Sequence, residues 1–84
     1  MTNYLEVDNQ VKEILAKQLG LAADKVKSES LLVEDLGMDS FGSVETAFEL
    51  EEKFSLKIPD KAIYEAKVVK DIVDYIAKEK KAVS

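Results

Sequence analysis

The chain has 84 residues, 46% of them hydrophobic and 35% charged, with a formal net charge of −5. That length supports one small core, and the apolar share excludes a disordered chain. There is no Cys, His, Arg or Trp, so disulfides, thiolate nucleophiles, the usual general base and bidentate phosphate forks are all missing.

An enzyme built on this inventory would have only carboxylates and lysines to work with. No uninterrupted apolar run exceeds three residues, far short of a membrane span. The start, Met1-Thr2-Asn3-Tyr4-Leu5-Glu6, has neither a basic signal region nor an Arg-rich transit composition, so a cytoplasmic location without membrane insertion is expected. Charge is unevenly spread. Residues 29–60 hold nine acids against two lysines, a net of −7, which leaves +2 for the remainder. Such a field repels nucleic acid and steers basic protein partners.

Residues 3–19 predict a first helix. Asn3 and Glu6 have capping-box spacing, Val7, Val11, Ile14, Leu15 and Leu19 follow the helical period, and Gly20 supplies a stop. Residues 21–39 predict a long connection in which Val26, Leu32 and Leu36 point inward, with a short helical turn over 31–35. Gly37 permits the reversal before Asp39.

A second helix is expected from Asp39 or Ser40 to Phe54, with Asp39 as its N-cap. Ser43, Ala47, Leu50 and Phe54 would face the core, Glu45, Glu49 and Glu52 would form an acidic ridge, and Phe41, Val44 and Phe48 an apolar border. Ser40 thus stands at a helix N-terminus, where unpaired N–H groups and the macrodipole favour an anion such as a phosphate ester. Pro59 biases Ile58 to an extended backbone. Asp60 would cap a short third helix that turns Ile63 inward. Residues 68–81 predict the last helix, with Val69, Ile72, Val73 and Ile76 as its stripe and Lys78, Lys80 and Lys81 matching its C-terminal dipole. Its start lacks a Ser, Thr, Asp or Asn cap, which leaves its separation from the third helix open. No period-two strand pattern occurs. The expected fold is all-α: a small four-helix bundle of three main helices and one short one, with a long loop between the first two. It forms a single domain over residues 1–84.

Leu36-Gly37-Met38-Asp39-Ser40-Phe41, preceded by Val33-Glu34-Asp35 and followed by Val44-Glu45, Glu51-Glu52-Lys53-Phe54, Ile58-Pro59-Asp60 and Asp74-Tyr75-Ile76, resembles the acyl carrier protein family over nearly the whole chain. The resemblance implies a carrier rather than an enzyme. Ser40 would receive phosphopantetheine from coenzyme A through a phosphopantetheinyl transferase, and the arm's thiol would hold acyl groups as thioesters. Asp39 matches the acid that assists the transferase. Glu45, Glu51 and Glu52 match acids that meet basic patches on acyl synthases, transferases or ligases, with Phe41, Val44, Phe48 and Glu49 on the same contact face. Ala47, Leu50, Ile63 and Ala66 match positions that line an acyl cavity. A monomer is expected.

The chain also leaves the family's habit. Phe41 stands for a Leu, Gly42 for an Asp or Ala, Thr46 for a larger aliphatic residue, Phe48 for Met, Tyr64 for Glu and Ala66 for Ile. The resemblance implies a role in fatty-acid or related lipid or polyketide synthesis. The Asp-Ser-bulky-Gly pattern also resembles dedicated carriers such as the D-alanyl carrier proteins, so a specialised cavity or partner set is expected, with a dedicated acyl or aminoacyl carrier as the alternative.

Other classes fit less well. A calcium loop framed from Glu34 to Glu45 would put Leu36, Met38 and Asp39 where two acids or amides and a glycine belong. A serine hydrolase lacks its histidine. The remaining rival is a non-carrying acidic adaptor with Ser40 as a plain helix-start residue. Crowded charge over residues 29–60 also predicts that salt and divalent cations raise the melting temperature by relieving self-repulsion. Thermal melts across an ionic-strength series check this, and an indifferent midpoint would count against a crowded acidic second helix.

Overall fold

A computed structural model describes residues 3–83, which form four α-helices and one short 3-10 helix. The first helix, α1, spans Tyr4–Leu19 and begins where Asn3 Oδ1 accepts the Glu6 N–H at 2.8 Å. It ends at Gly20, whose φ of +69° is the left-handed conformation a glycine adopts at little cost. Val7, Val11 and Leu15 are buried as the period predicts, with Ile14 and Leu19 half-buried beside them. Asp8 joins the buried side. Its carboxylate pairs with Lys12 Nζ at 2.9 Å and accepts from Ser28 Oγ at 3.4 Å, so a charge at the edge of the core is compensated and tied to the following loop.

That loop contains the 3-10 helix Ala23–Lys25, which the sequence reading treats only as a polar turn. Val26, Leu32 and Leu36 point inward as expected, and Met38 joins them. The expected turn of helix over 31–35 is present as a single i→i+4 turn that does not propagate into a helix. The Asp35 and Leu36 N–H groups both donate to the Leu31 carbonyl, Gly37 N–H to Val33 and Met38 N–H to Leu32. Gly37 sits at φ +73°.

The second helix, α2, spans Ser40–Phe54 and buries Ser43, Thr46, Ala47, Leu50 and Phe54. Thr46 extends the predicted core stripe, being one turn from both Ser43 and Leu50. The short α3 spans Asp60–Glu65. Its cap corrects the sequence reading. Pro59, not Asp60, holds the N-cap position, because its extended backbone (φ −66°, ψ 147°) aims its carbonyl at the Ala62 N–H, 2.9 Å away. Asp60 is the first helical residue, and its side chain, like that of Lys81, lies outside the described residues. Ile63 is buried as expected.

The last helix, α4, spans Val69–Val83 and is distinct from α3, separated by Ala66, Lys67 and Val68. Its missing upstream cap is supplied from inside: Asp71 Oδ2 accepts the Lys67 N–H at 2.9 Å and the Val68 N–H at 3.2 Å. Val69, Ile72, Val73 and Ile76 are all buried and meet the α1 stripe. Burying an aliphatic side chain of this size contributes about 1.5–3 kcal/mol, so this seam is a main source of stability.

Among the described residues there is no strand. A single antiparallel bridge, Leu31 with Val68, joins the α1–α2 loop to the α3–α4 connection. Around it the Leu32 N–H donates to the Lys67 carbonyl, Val69 N–H to Ser30 and Lys70 N–H to Ser28. Among the described residues no helix is long and apolar enough to cross a membrane.

The start of α1 is fastened to α4 by Tyr4, whose hydroxyl donates to Asp74 Oδ1 at 2.6 Å while Lys70 Nζ holds Asp74 Oδ2 at 3.0 Å. The hydrogen bond to Asp74 pushes the Tyr4 hydroxyl up to about 12, and the bonds from Tyr4 and then Lys70 hold the Asp74 carboxyl below its usual range. The lowered Asp74 contributes stability above its unfolded pKa, lost as pH falls through the lower folded value. The raised Tyr4 contributes stability below its unfolded value of 10, lost as pH rises toward 12. Tyr4→Phe should therefore melt below the parent protein at neutral pH. The gap should narrow toward both extremes in a melting series across pH.

Candidate functional site

The displayed dipeptide is Asp39-Ser40. Upstream, Leu36 and Met38 are buried on the core, and Leu31 N–H donates to Asp35 Oδ2 at 2.8 Å, so the turn carrying Gly37 is closed from within. Asp39 is extended at φ −111°, ψ −177°, and its Oδ1 accepts the Gly42 N–H at 2.7 Å, the expected N-cap. Ser43 donates both its N–H and its Oγ to the Asp39 carbonyl, each at 2.9 Å. None of these bonds uses the Ser40 hydroxyl. Ser40 is exposed, at the positive end of a fifteen-residue helix.

Gly42 fits this arrangement. A Cβ there would come within 3.2 Å of Asp39 Oδ1, pressing on the capping carboxylate. The residue whose helix propensity argues against it is thus accommodated by the cap.

The three predicted stripes of α2 separate as the period requires. Ser43, Ala47, Leu50 and Phe54 are inward, while Phe41, Val44 and Phe48 are 70%, 44% and 58% exposed and border Ser40 along the helix. Three large apolar side chains on one helix face of a small protein form a patch that calls for a partner. Tyr64 of α3 is a further exposed aromatic side chain, 56% accessible.

The acids are not equivalent. Glu45 and Glu52 are exposed, and Glu49 is half-buried. Glu49 and Glu52 also line a groove of about 670 Å³ against Glu13, Ile14, Lys17 and Leu21, so the far end of the ridge turns toward α1. Glu51 is committed: its Oε2 accepts the Ile58 N–H at 2.8 Å and holds the α2–α3 turn. The sequence shows Glu51 only as another acid, because a contact seven residues away has no periodic signature.

Of the residues matched to an acyl cavity, Ala47, Leu50 and Ile63 lie together in the core. Ala66 packs against it from outside and also lines a groove of about 400 Å³ with Pro59, Ala62 and Tyr75. Among the described residues no cluster of acids has the arrangement of a metal site.

Residues 9–76 match the family described as "Phosphopantetheine attachment site". The acyl carrier protein of Bdellovibrio bacteriovorus is 41% identical over 78 residues, covering 93% of this chain and 100% of that protein. The chain belongs to the acyl carrier protein family. The acyl carrier protein of Campylobacter hominis is 43% identical over 72 residues, 86% of this chain and 91% of its own length. The HMG-ACPI domain from the CurA module of Lyngbya majuscula, solved by NMR, superposes with a TM-score of 0.85 at 23% identity. That match covers 98% of this chain and 83% of that one, a likeness of fold. An acyl carrier protein is a cofactor-bearing carrier and not a catalyst, which agrees with a chain that has no His or Cys.

The division among the acids is directly measurable. Glu51→Ala strands the Ile58 N–H and should lower the melting midpoint by about 5 °C, the effect of roughly 1 kcal/mol in a domain of this size. Glu45→Ala, at an exposed position, should move it by less than about 2 °C. Paired thermal melts of the two variants check this.

Proposed function

We propose that Ser40 is the phosphopantetheine attachment residue of this acyl carrier. The observation that carries the reading is the exposed Ser40 hydroxyl at the first residue of α2, beside a cap whose bonds are made by its neighbours. The helix end favours the negative phosphodiester that attachment creates. In the transfer, Ser40 Oγ forms the new bond to the pantetheine-side phosphorus of coenzyme A. The bond from that phosphorus to the bridging oxygen breaks, adenosine bisphosphate leaves, and the hydroxyl proton passes to a base on the transferase. Asp39 uses Oδ1 as the cap, so Oδ2 is its oxygen available to the transferase or to a metal the transferase brings. Once attached, the arm supplies the terminal thiol on which acyl groups are held as thioesters.

Phe41, Val44 and Phe48 form the apolar centre of the partner face, and Glu45, Glu49 and Glu52 its electrostatic address for basic-patched synthases, transferases or ligases. Glu51 contributes charge to that field while bracing the α2–α3 turn. Ala47, Leu50, Ile63 and Ala66 shelter the acyl chain between α2 and α3. The carrier acts as a cytoplasmic, single-domain monomer in fatty-acid or related lipid or polyketide synthesis. A dedicated acyl or aminoacyl cargo is the second reading, favoured by the Phe41-Gly42 start of α2 and the buried Thr46.

Incubation with coenzyme A and a phosphopantetheinyl transferase, followed by intact-mass measurement, tests the assignment. The parent protein should gain one phosphopantetheine and Ser40→Ala none. An unchanged parent mass would leave the acidic-adaptor reading.

A further inference from the structure

Thr46 is the one residue of the described core whose chemistry the fold does not use. It is fully buried, at 0% exposure, and its Oγ1 has no hydrogen-bond partner among the described residues. Two outlets common for a helical threonine are closed to it. The carbonyl four residues back, at Gly42, does not receive its hydroxyl, and no side chain reaches it. Ser43, on the same buried side one turn earlier, shows the contrast: its hydroxyl donates to the Asp39 carbonyl at 2.9 Å. A buried hydroxyl without a partner costs free energy that an isosteric valine would not. Packing alone therefore gives no reason for threonine, flanked as it is by Ala47 and followed one turn later by the fully buried Leu50.

We infer that Thr46 Oγ1 is a specificity-determining hydrogen-bonding group for cargo: it selects acyl groups that carry an oxygen along the chain, such as β-hydroxy or β-oxo acyl groups, over saturated ones. This rests on the reading that cargo shelters against Ala47, Leu50 and Ile63, and it deepens that reading by naming the cargo's chemistry. A threonine hydroxyl donates to a ketone oxygen and either donates to or accepts from an alcohol. A saturated chain entering the same core leaves Oγ1 as unpartnered as before. An oxygenated chain satisfies its own buried oxygen and Oγ1 together. Sites built to pair a buried polar group discriminate strongly, because the wrong ligand leaves that group unpaired.

The test compares melting temperatures of the parent protein, Thr46→Val and Thr46→Ser, each without an acyl group and each loaded at Ser40 with hexanoyl- or β-hydroxyhexanoyl-phosphopantetheine, loading being confirmed by intact mass. Without cargo, Thr46→Val should melt at or above the parent, as removal of an unpartnered buried hydroxyl requires. A midpoint several degrees lower would show Oγ1 already satisfied and would overturn the inference. In the parent, β-hydroxyhexanoyl should protect at least as well as hexanoyl. In Thr46→Val that protection should fall by about 5 °C relative to hexanoyl, and Thr46→Ser should restore it. If hexanoyl protects but the β-hydroxyl is penalised equally in all three proteins, the cargo-shelter reading survives and this inference fails. If neither chain protects any of them, both fail. If no mass is gained, the attachment assignment itself fails.

Discussion

Everything that displays Ser40 depends on a backbone clasp between the α1–α2 loop and the stretch that ends the α3–α4 connection and opens α4. The α1–α2 loop, from Ser28 to Leu32, exchanges hydrogen bonds with Lys67, Val69 and Lys70 around the Leu31–Val68 bridge. A connection of some twenty residues would otherwise carry a large ordering cost and no fixed path. Here the Leu32 N–H and the Ser28 and Ser30 carbonyls are paired across the molecule, other loop amides bond within the loop, and its apolar side chains, Val26, Leu32, Leu36 and Met38, fill the core. The clasp acts at both ends of its partner: Lys67 and Val68 also give their N–H groups to Asp71, so the α4 start and the loop are organised together.

From that clasp the chain has one short route to α2. Gly37 turns it, Met38 anchors it and Asp39 caps the helix, so Ser40 emerges on a fixed backbone with its hydroxyl outside the local bonds. A carrier needs little chemistry of its own but does need its attachment point in a reproducible place for several enzymes. The composition agrees with this economy, since reactive groups are absent while the acids and exposed apolar side chains cluster on the same helix. The Glu51 bond to Ile58 extends the same logic to the far end of α2, fixing where α3 begins. Thr46 stands apart: among the described residues its Oγ1 is the buried side-chain polar atom without a hydrogen-bond partner.

The helices were legible because their signals are local. Spacing of apolar residues marks α1 and α4, Asn3 and Asp39 mark helix starts, and Gly20 marks a stop, all set by sterics and bonds within a few residues. The loop was legible only as a length with inward residues. Its path rests on contacts with residues more than thirty positions away, which no period records. The misplaced cap at Asp60 has a local reason: Pro59 already holds the extended backbone of an N-cap, so the helix starts one residue earlier than a side-chain cap at Asp60 would place it. Within the site, Asp39, Ser40 and the three α2 stripes were readable from spacing, whereas the different fates of Glu51 and its neighbouring acids were not.

The sequence by itself determined the class of molecule: an acidic, all-helical carrier with a serine directly after an aspartate at a helix start. Those properties reside in residue identity and short-range order. Only the tertiary structure decided which polar groups are spent and which are free. Asp71 is used as a cap, Asp8 is paired, Glu51 braces a turn and Thr46 is buried without a partner, because each outcome depends on what lies across the fold rather than along the chain.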